Sequence, residues 1–186
     1  MSAYSARFDD AVAWTLEAFR PILRKGSGAP YITHLFAVTA LVGEHGGDEE
    51  QLMAAMLHDA IEDIPGVTEA VLAERFGERV ARLVVALSDC EGHPKPPWRE
   101  RKEGYLAHLR HQPAEVKLIS CADKLHNARS ILIDHRTMGA GIFERFRGKR
   151  DGTLWYYGSL PEVLRDGWQA PILDELERGV TELAAL

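Results

Sequence analysis

Residues 54–64 read AAMLHDAIEDI, and the way this stretch folds decides much of the rest. Alanines and apolar residues lead in, and His58, Asp59, Glu62 and Asp63 then fall within six positions. Ionised groups are costly to bury without partners, so in a segment patterned as core they must be paired, bound to a metal or lining a wet cavity. On an unbroken helix, residues four apart share a face, which stacks His58 over Glu62 and Asp59 over Asp63. His58 and Asp59 can then bend toward one ion, with the two carboxylates of the next turn beside it. Taken alone, so short a group of His, Asp and Glu is more often polarity on an exposed helix face.

Around this stretch the hydrophobic periodicity is helical nearly throughout, and no run alternates as a strand would. A first amphipathic helix is expected over roughly Ser5 to Leu23, with Pro21 imposing a kink or an early stop. The loop KGSGAP (25–30) follows, and Pro30 opens a helix over Tyr31 to His45 that is apolar almost all round. Asp48 with Gln51 resembles a capping box and starts a helix that runs through LMAAMLHDAIEDI to Pro65. Thr68 caps a short helix ending at Gly77, and VARLVVALS (80–88) carries another. EGHPKPPWRE (91–100) holds three prolines and reads as a loop. ERKEGYLAHLR (100–110) is helical, and Pro113 starts a helix through VKLISCADKLHNARSIL (116–132). A Gly-rich basic stretch precedes a last pair of helices, one beginning near Ser159 to Pro161. The expected fold is all-α, a compact multi-helix bundle forming a single domain over 1–186, with 136–186 as a basic and aromatic segment plus closing helices.

At 186 residues, 46% hydrophobic and 27% charged, the chain can bury a real core and is not a disordered one. The net charge of −6 argues against nucleic acid as a partner. Positive charge is nevertheless clustered. Half of the 22 Lys and Arg fall in three short segments, Arg20–Lys25, Lys95–Lys102 and Arg145–Arg150, which suits a small polyanionic ligand as well as solvated loops. Cys90 and Cys121 are too few and too far apart for a disulfide framework or a thiolate zinc site. The start, MSAYSARFDDAVAW, lacks a basic region followed by an apolar one, and no stretch is long enough to span a bilayer, so a cytoplasmic protein without a membrane partner is expected.

Two further positions bear on the opening stretch. His34 lies inside the apolar helix YITHLFAVTALV (31–42), where a lone His is more often a satisfied core residue. Asp123 lies inside VKLISCADKLHNARSIL, with Asn127 one turn later on the same face. If three apolar helices converge, their few polar groups converge too. His34, His58, Asp59 and Asp123 then offer a mixed N/O set suited to Mn²⁺, Fe²⁺ or Co²⁺, with Zn²⁺ also accommodated.

This ordered set, H…HD…D, resembles the HD phosphohydrolase superfamily. More narrowly, RKGSGAPYITH (24–34), LHDAIEDIPGVTEAVLAERFG (57–77) and CADKLHNARSIL (121–132) resemble the hydrolase domain of the bifunctional alarmone synthetase/hydrolases and the stand-alone small alarmone hydrolases of the stringent response. The likeness covers about residues 10 to 135. It implies one divalent metal, usually Mn²⁺, held by His34, His58, Asp59 and Asp123, with Glu62 and Asp63 handling the attacking water. It further implies that Arg24, Lys25 and Asn127 contact the nucleotide and its phosphates, joined by Arg101 or Lys102, and that (p)ppGpp is cleaved to a nucleoside 5′-phosphate and pyrophosphate. Tyr31 either borders the base or packs at its helix start. The Arg145–Arg150 cluster is a weaker phosphate contact, and Trp155, Tyr156 and Tyr157 form a lid or, for at least two of them, core. His93, His108, His111 and His126 read as surface or loop residues without a role. The chain departs from the family at Leu35, where proline is usual, and at LEAFRPILRK (16–25), which lacks a His usual before the basic loop.

Other readings remain. The same site suits an adenosine alarmone, (pp)pApp, or a nucleotide 2′- or 3′-phosphate such as NADPH. A non-catalytic nucleotide sensor would have no need of Glu62 and Asp63. A purely structural bundle would need Arg or Lys partners in the core for Asp59 and Asp123. Oligomeric state is not legible.

Overall fold

The computed structural model describes residues 4–89 and 96–186, which are helical, with no β-strand among them beyond a single bridge between Leu23 and Pro30. Cys90, His93 and Lys95, and most of the proline-rich loop, lie outside the described residues.

The first helix, α1 (Ala6–Ala18), starts where the Ser5 hydroxyl accepts from the Arg7 amide, and it ends well before Leu23. Pro21 is the reason: its ring disfavours helical φ/ψ at the preceding residue and clashes with the carbonyl four back. The hydrophobic helix α2 (Ile32–Glu44) follows the basic loop. At α3 (Glu49–Leu57) both capping-box hydrogen bonds form, Gln51 N–H to the Asp48 carboxylate and Asp48 N–H to the Gln51 side chain, each at 3.0 Å.

The expected unbroken helix from Asp48 to Pro65 is interrupted at His58 and Asp59, and a single further turn, α4 (Ala60–Asp63), follows. The cause is local. His58 Nδ1 donates to the Ala55 carbonyl at 2.8 Å, the acceptor that Asp59 N–H would use in a continuous helix. Asp59 accordingly sits at φ −97°, ψ 4°, outside helical geometry. Its carboxylate and the His58 ring now turn to one side together rather than stacking over the residues one turn on.

Thr68 caps α5 (Glu69–Phe76), and Gly77, at φ +97°, makes the joint to α6 (Glu78–Leu87) in a conformation that glycine alone adopts freely. Helix α7 (Trp98–Arg110) leads to the long α8 (Ala114–Met138), whose middle is buried from Val116 to Ala128. A 3₁₀ segment (Gly139–Arg145) then turns the chain into α9 (Lys149–Arg165), and α10 (Pro171–Ala184) closes the bundle. The helix expected to begin near Ser159 begins ten residues earlier and runs through Pro161. Thr153, Tyr156, Tyr157, Leu160 and Leu164 form one buried face at helical spacing across that proline. Their burial outweighs the roughly 3 kcal/mol that an interior proline costs.

Helix α8 is the axis of the bundle, with α2 and α3 on one side and α10 on another, where Gly179 approaches Ala128 closely. Polar ties bind the periphery. Arg79 on α6 reaches Asp48 at 2.8 Å, Glu50 at 3.1 Å and Glu115 at 2.6 Å, joining the starts of α3 and α8. Leu176 on α10 is wholly buried in the main core. Replacing it by alanine removes buried methyl groups far from the polar seam, so Leu176→Ala should lower unfolding free energy in urea by about 2–5 kcal/mol, with the cavity's ligand affinity unchanged.

Candidate functional site

One cavity, of about 460 Å³, opens along α8. Asp123, Asn127, Ser130, Ile131 and Asp134 all line it, a spacing of 4, 3, 1 and 3 that puts them on a single face of that helix. Across from them the α3–α4 junction supplies His58, Asp59, Glu62 and Asp63. The loop after α1 adds Arg24 and Lys25, α7 adds Lys102 and Tyr105, and α9 adds Tyr156 and Tyr157.

At the centre, four expected residues come together. Ligand atoms of His34, His58 and Asp59 lie within 4.8 Å of one another, a group able to hold a metal ion. Asp123 Oδ1 lies 3.2 Å from His34 Nε2 and 3.7 Å from His58 Nε2, and Asp59 Oδ2 lies 3.0 Å from His58 Nε2. Both Nε2 atoms are buried without a directed hydrogen bond. His58 donates through Nδ1 to a carbonyl, so in the neutral ring Nε2 is a lone pair facing carboxylate oxygens. Acceptors facing acceptors at buried atoms require a proton or a cation between them.

The surroundings fix these groups. Tyr31 donates its hydroxyl to Asp59 Oδ2 at 2.6 Å, and Asn127 donates to Asp123 Oδ1 at 2.5 Å. Arg24 in turn donates to Asn127 Oδ1 at 2.7 Å. Lys124, unassigned in the sequence reading, places Nζ 2.5 Å from Asp123 Oδ2, between the Tyr105 ring and the buried Tyr156. His126, expected at the surface, is half-buried instead, with Nδ1 2.8 Å from His34 Nδ1. It faces inward because it is three residues beyond Asp123 on α8, on the same side of the helix.

Titration follows from this packing. Burial pushes Asp59 and Asp123 upward, but His58 beside the first and Lys124 beside the second hold both well below the usual carboxylate range. Burial disfavours charge on His58, yet Asp59 raises it well above an ordinary imidazole. His34 is lowered by burial, and His126 is lowered to about 4 by burial and by His34. The seam thus balances two carboxylates against His58 and Lys124, with His34 and His126 neutral.

The expected substrate contacts divide. Arg24, Lys25, Tyr31, Lys102 and Asn127 line the cavity. Arg101 does not: its guanidinium is spent on the buried Asp89 carboxylate, which also accepts from Lys102 Nζ at 2.8 Å. Asp89 N–H donates to Glu62 Oε1 at 2.9 Å, so this residue ties the α7 cations to the carboxylate expected to handle water. Of the third basic cluster, Arg145 donates to the Gly26 carbonyl at 2.6 Å and braces the basic loop, while Lys149 pairs with Glu144 and Arg150 with Asp151. Tyr156 and Tyr157 are both core and cavity wall; Trp155 stacks under Arg99 at 3.3 Å. His108 and His111 are exposed, as expected. No described helix is long and apolar enough to cross a membrane.

Among known proteins, the HD domain family matches residues 11–154. The chain is 40% identical over 113 residues to the bifunctional (p)ppGpp synthase/hydrolase SpoT of Escherichia coli K12, a match covering 58% of this chain and 16% of that protein. It is 33% identical over 134 residues to guanosine-3′,5′-bis(diphosphate) 3′-pyrophosphohydrolase MESH1 of Xenopus tropicalis, covering 70% of this chain and 73% of the relative. The long relatives, such as the 3′-pyrophosphohydrolase of Haemophilus influenzae, are spanned over only 16% of their length. A solved structure of a metazoan SpoT orthologue, described as hydrolysing ppGpp with a role in starvation responses, superimposes over 100% of both chains with a TM-score of 0.83 and 25% identity.

Asp89 offers a check on this electrostatic design. Burial raises its carboxyl, but Lys102 and then Arg101 pull it down to about 2 from an ordinary 3.8. A depressed carboxylate stabilises the fold fully above its unfolded pKa and loses that contribution as pH falls through the folded value. Asp89→Asn should therefore be less stable than the parent near neutral pH in urea unfolding, and the gap should close as pH drops from 3.8 toward about 2. A gap that persists unchanged through that window would show that Asp89 acts through something other than its charge.

Proposed function

The chain belongs to the HD-domain family, and on that footing we propose that it is a metal-dependent alarmone hydrolase, removing the 3′-pyrophosphate of (p)ppGpp to leave the nucleoside 5′-phosphate. The observation that carries this reading is the pair of buried imidazole Nε2 atoms, His34 and His58, turned toward the Asp59 and Asp123 carboxylates without a hydrogen bond of their own. That donor set fits a divalent cation, and Mn²⁺ is the ion we assign, by the mixed N/O chemistry of the four groups. A divalent ion in such a place lowers the pKa of water and polarises a phosphoryl group.

The residues divide the remaining work. His34, His58, Asp59 and Asp123 would hold the ion, displacing the proton that otherwise resides on His58. Glu62, oriented by Asp89 N–H, accepts a proton from the attacking water. Asp63, beside it in the cavity wall, shares or orients that water. The ester between the pyrophosphate and the ribose 3′ oxygen breaks, and the proton taken by Glu62 is available to the departing oxygen. Arg24, Lys25, Lys102 and Lys124 converge on the cavity and neutralise the polyphosphate. Arg101 acts at one remove, by holding Asp89.

Protein stripped of metal and resupplied with Mn²⁺ should release pyrophosphate and GDP from ppGpp, resolved by ion-exchange chromatography. Asp123→Ala and Glu62→Ala should each lower the rate at least about a hundredfold. Only Asp123→Ala should also lose bound metal. Absence of turnover despite one bound ion per chain would sink the assignment in favour of a sensor.

His126 yields a separate expectation. It sits behind His34 as the partner that fixes which ring nitrogen carries the proton. His126→Ala should weaken Mn²⁺ binding about 10–100-fold in a chelator competition titration, the range for losing such an outer partner. Unchanged metal affinity would reduce His126 to a packing residue.

A further inference from the structure

The arm of the cavity beyond Asn127 contains a group the reaction does not use. Asp134 faces the cavity eleven residues after Asp123, a rise of about 16 Å along α8. The lining of the same cavity includes the apolar Ile22, Leu23, Ile131 and Phe146. The Asp134 carboxylate is half-buried, and among the described residues it has neither a hydrogen-bond nor an ion-pair partner. Two cations on this side of the cavity are engaged elsewhere: Arg24 donates to Asn127, and Arg145 donates to the Gly26 carbonyl. Gly26 itself packs so closely on Asp134 that a Cβ there would collide with the carboxylate oxygen.

We propose that Asp134 determines base specificity, its carboxylate accepting from the N1–H and N2–H₂ groups on the Watson–Crick edge of guanine. This rests on the reading of the cavity as an alarmone site. A phosphate would be repelled by an unpaired carboxylate, so the polyphosphate lies toward Lys102 and Lys124. The ribose is bonded to the scissile phosphoryl group and must stay near the Asp59–Asp123 seam. The 16 Å or so between Asp123 and Asp134 then leaves the far arm to the base. Apolar side chains of the lining take the faces of a purine, and the Asp134 carboxylate meets an edge that donates twice. Adenine presents one donor and one lone pair on the corresponding edge, so it loses a hydrogen bond and sets N1 against a negative charge. Sites that hydrogen-bond a substrate N–H discriminate strongly against analogues lacking it.

The test compares ppGpp with ppApp as substrates, and GDP with ADP as equilibrium ligands, for the full-length parent, Asp134→Ala and Asp134→Asn, each loaded with Mn²⁺. The parent should prefer ppGpp in kcat/KM by about tenfold to a hundredfold, the range for hydrogen bonds to a charged acceptor. Asp134→Ala should lose that preference, slowing on ppGpp without slowing on ppApp, whose N1 no longer faces a negative charge. Asp134→Asn should move toward ppApp, because a carboxamide can accept from N6–H₂ and donate to N1. A parent without preference, or an Asp134→Ala variant that keeps the parent's ratio, overturns the proposal. If the parent hydrolyses neither alarmone, the hydrolase assignment fails, and the binding arm decides on Asp134 alone. A GDP-over-ADP preference abolished in both variants supports it there, and an unchanged ratio overturns it. Circular dichroism of both variants, with the half-buried Asn substitution as the milder change, separates loss of selectivity from loss of fold.

Discussion

The structure is organised around the cost of keeping Asp59 and Asp123 ionised in a largely buried seam. Removing a carboxylate from water costs several kcal/mol unless close partners restore what hydration supplied. Here the partners come from every layer of the bundle: Tyr31 from the start of α2, His58 from the end of α3, Asn127 and Lys124 from α8. Lys124 is itself a buried charge, set between Tyr105 of α7 and Tyr156 of α9. The chain after residue 135 is thus part of the site. Without α9, the Lys124–Asp123 pair would lose the Tyr156 wall that shields it from solvent.

Much of this was legible in the sequence, and what was not has a physical pattern. The capping box at Asp48, the helix start after Pro113 and the convergence of His34, His58, Asp59 and Asp123 follow from local periodicity and from the rarity of charge in apolar helices. The break at His58 was not legible, because it depends on a side chain competing with the backbone for one carbonyl. Pro161 misled for the opposite reason. A local helix-start signal was overridden by a buried face that only the tertiary structure reveals. His126 and Asp89 were missed because their meaning lies in partners far along the chain, 92 residues away for His126 and 27 for Asp89. A spacing of three from Asp123 was the one available hint for His126.

The relatives divide along the same line. The HD-domain match ends at residue 154, just before Tyr156, whereas the superposition on the metazoan SpoT orthologue covers the whole chain at 25% identity. Closing the bundle over the seam requires a helix with a buried, largely apolar face, which many sequences can supply. Holding a cation among two imidazoles and two carboxylates requires particular atoms, which few can.

Helix α8 joins these demands in one rigid body. Asp123 and Asp134 lie on the same face, with Asn127, Ser130 and Ile131 between them, so their separation is fixed by helix geometry and not by a flexible loop. A helix packed by α2 on one side and α10 on another has little freedom to lengthen or bend. Any molecule that engages both ends must match that length in a single orientation. On the proposed reading, selectivity at the far end would act on chemistry at the near end without moving parts: a base that failed to seat against Asp134 would shift its own ribose, and the scissile bond with it, away from Glu62. A displacement of about 1 Å at the reacting atoms is enough to cost about a hundredfold in rate. Discrimination between bases would on this geometry fall on kcat as well as on binding, because the ruler that measures the nucleoside also aims it.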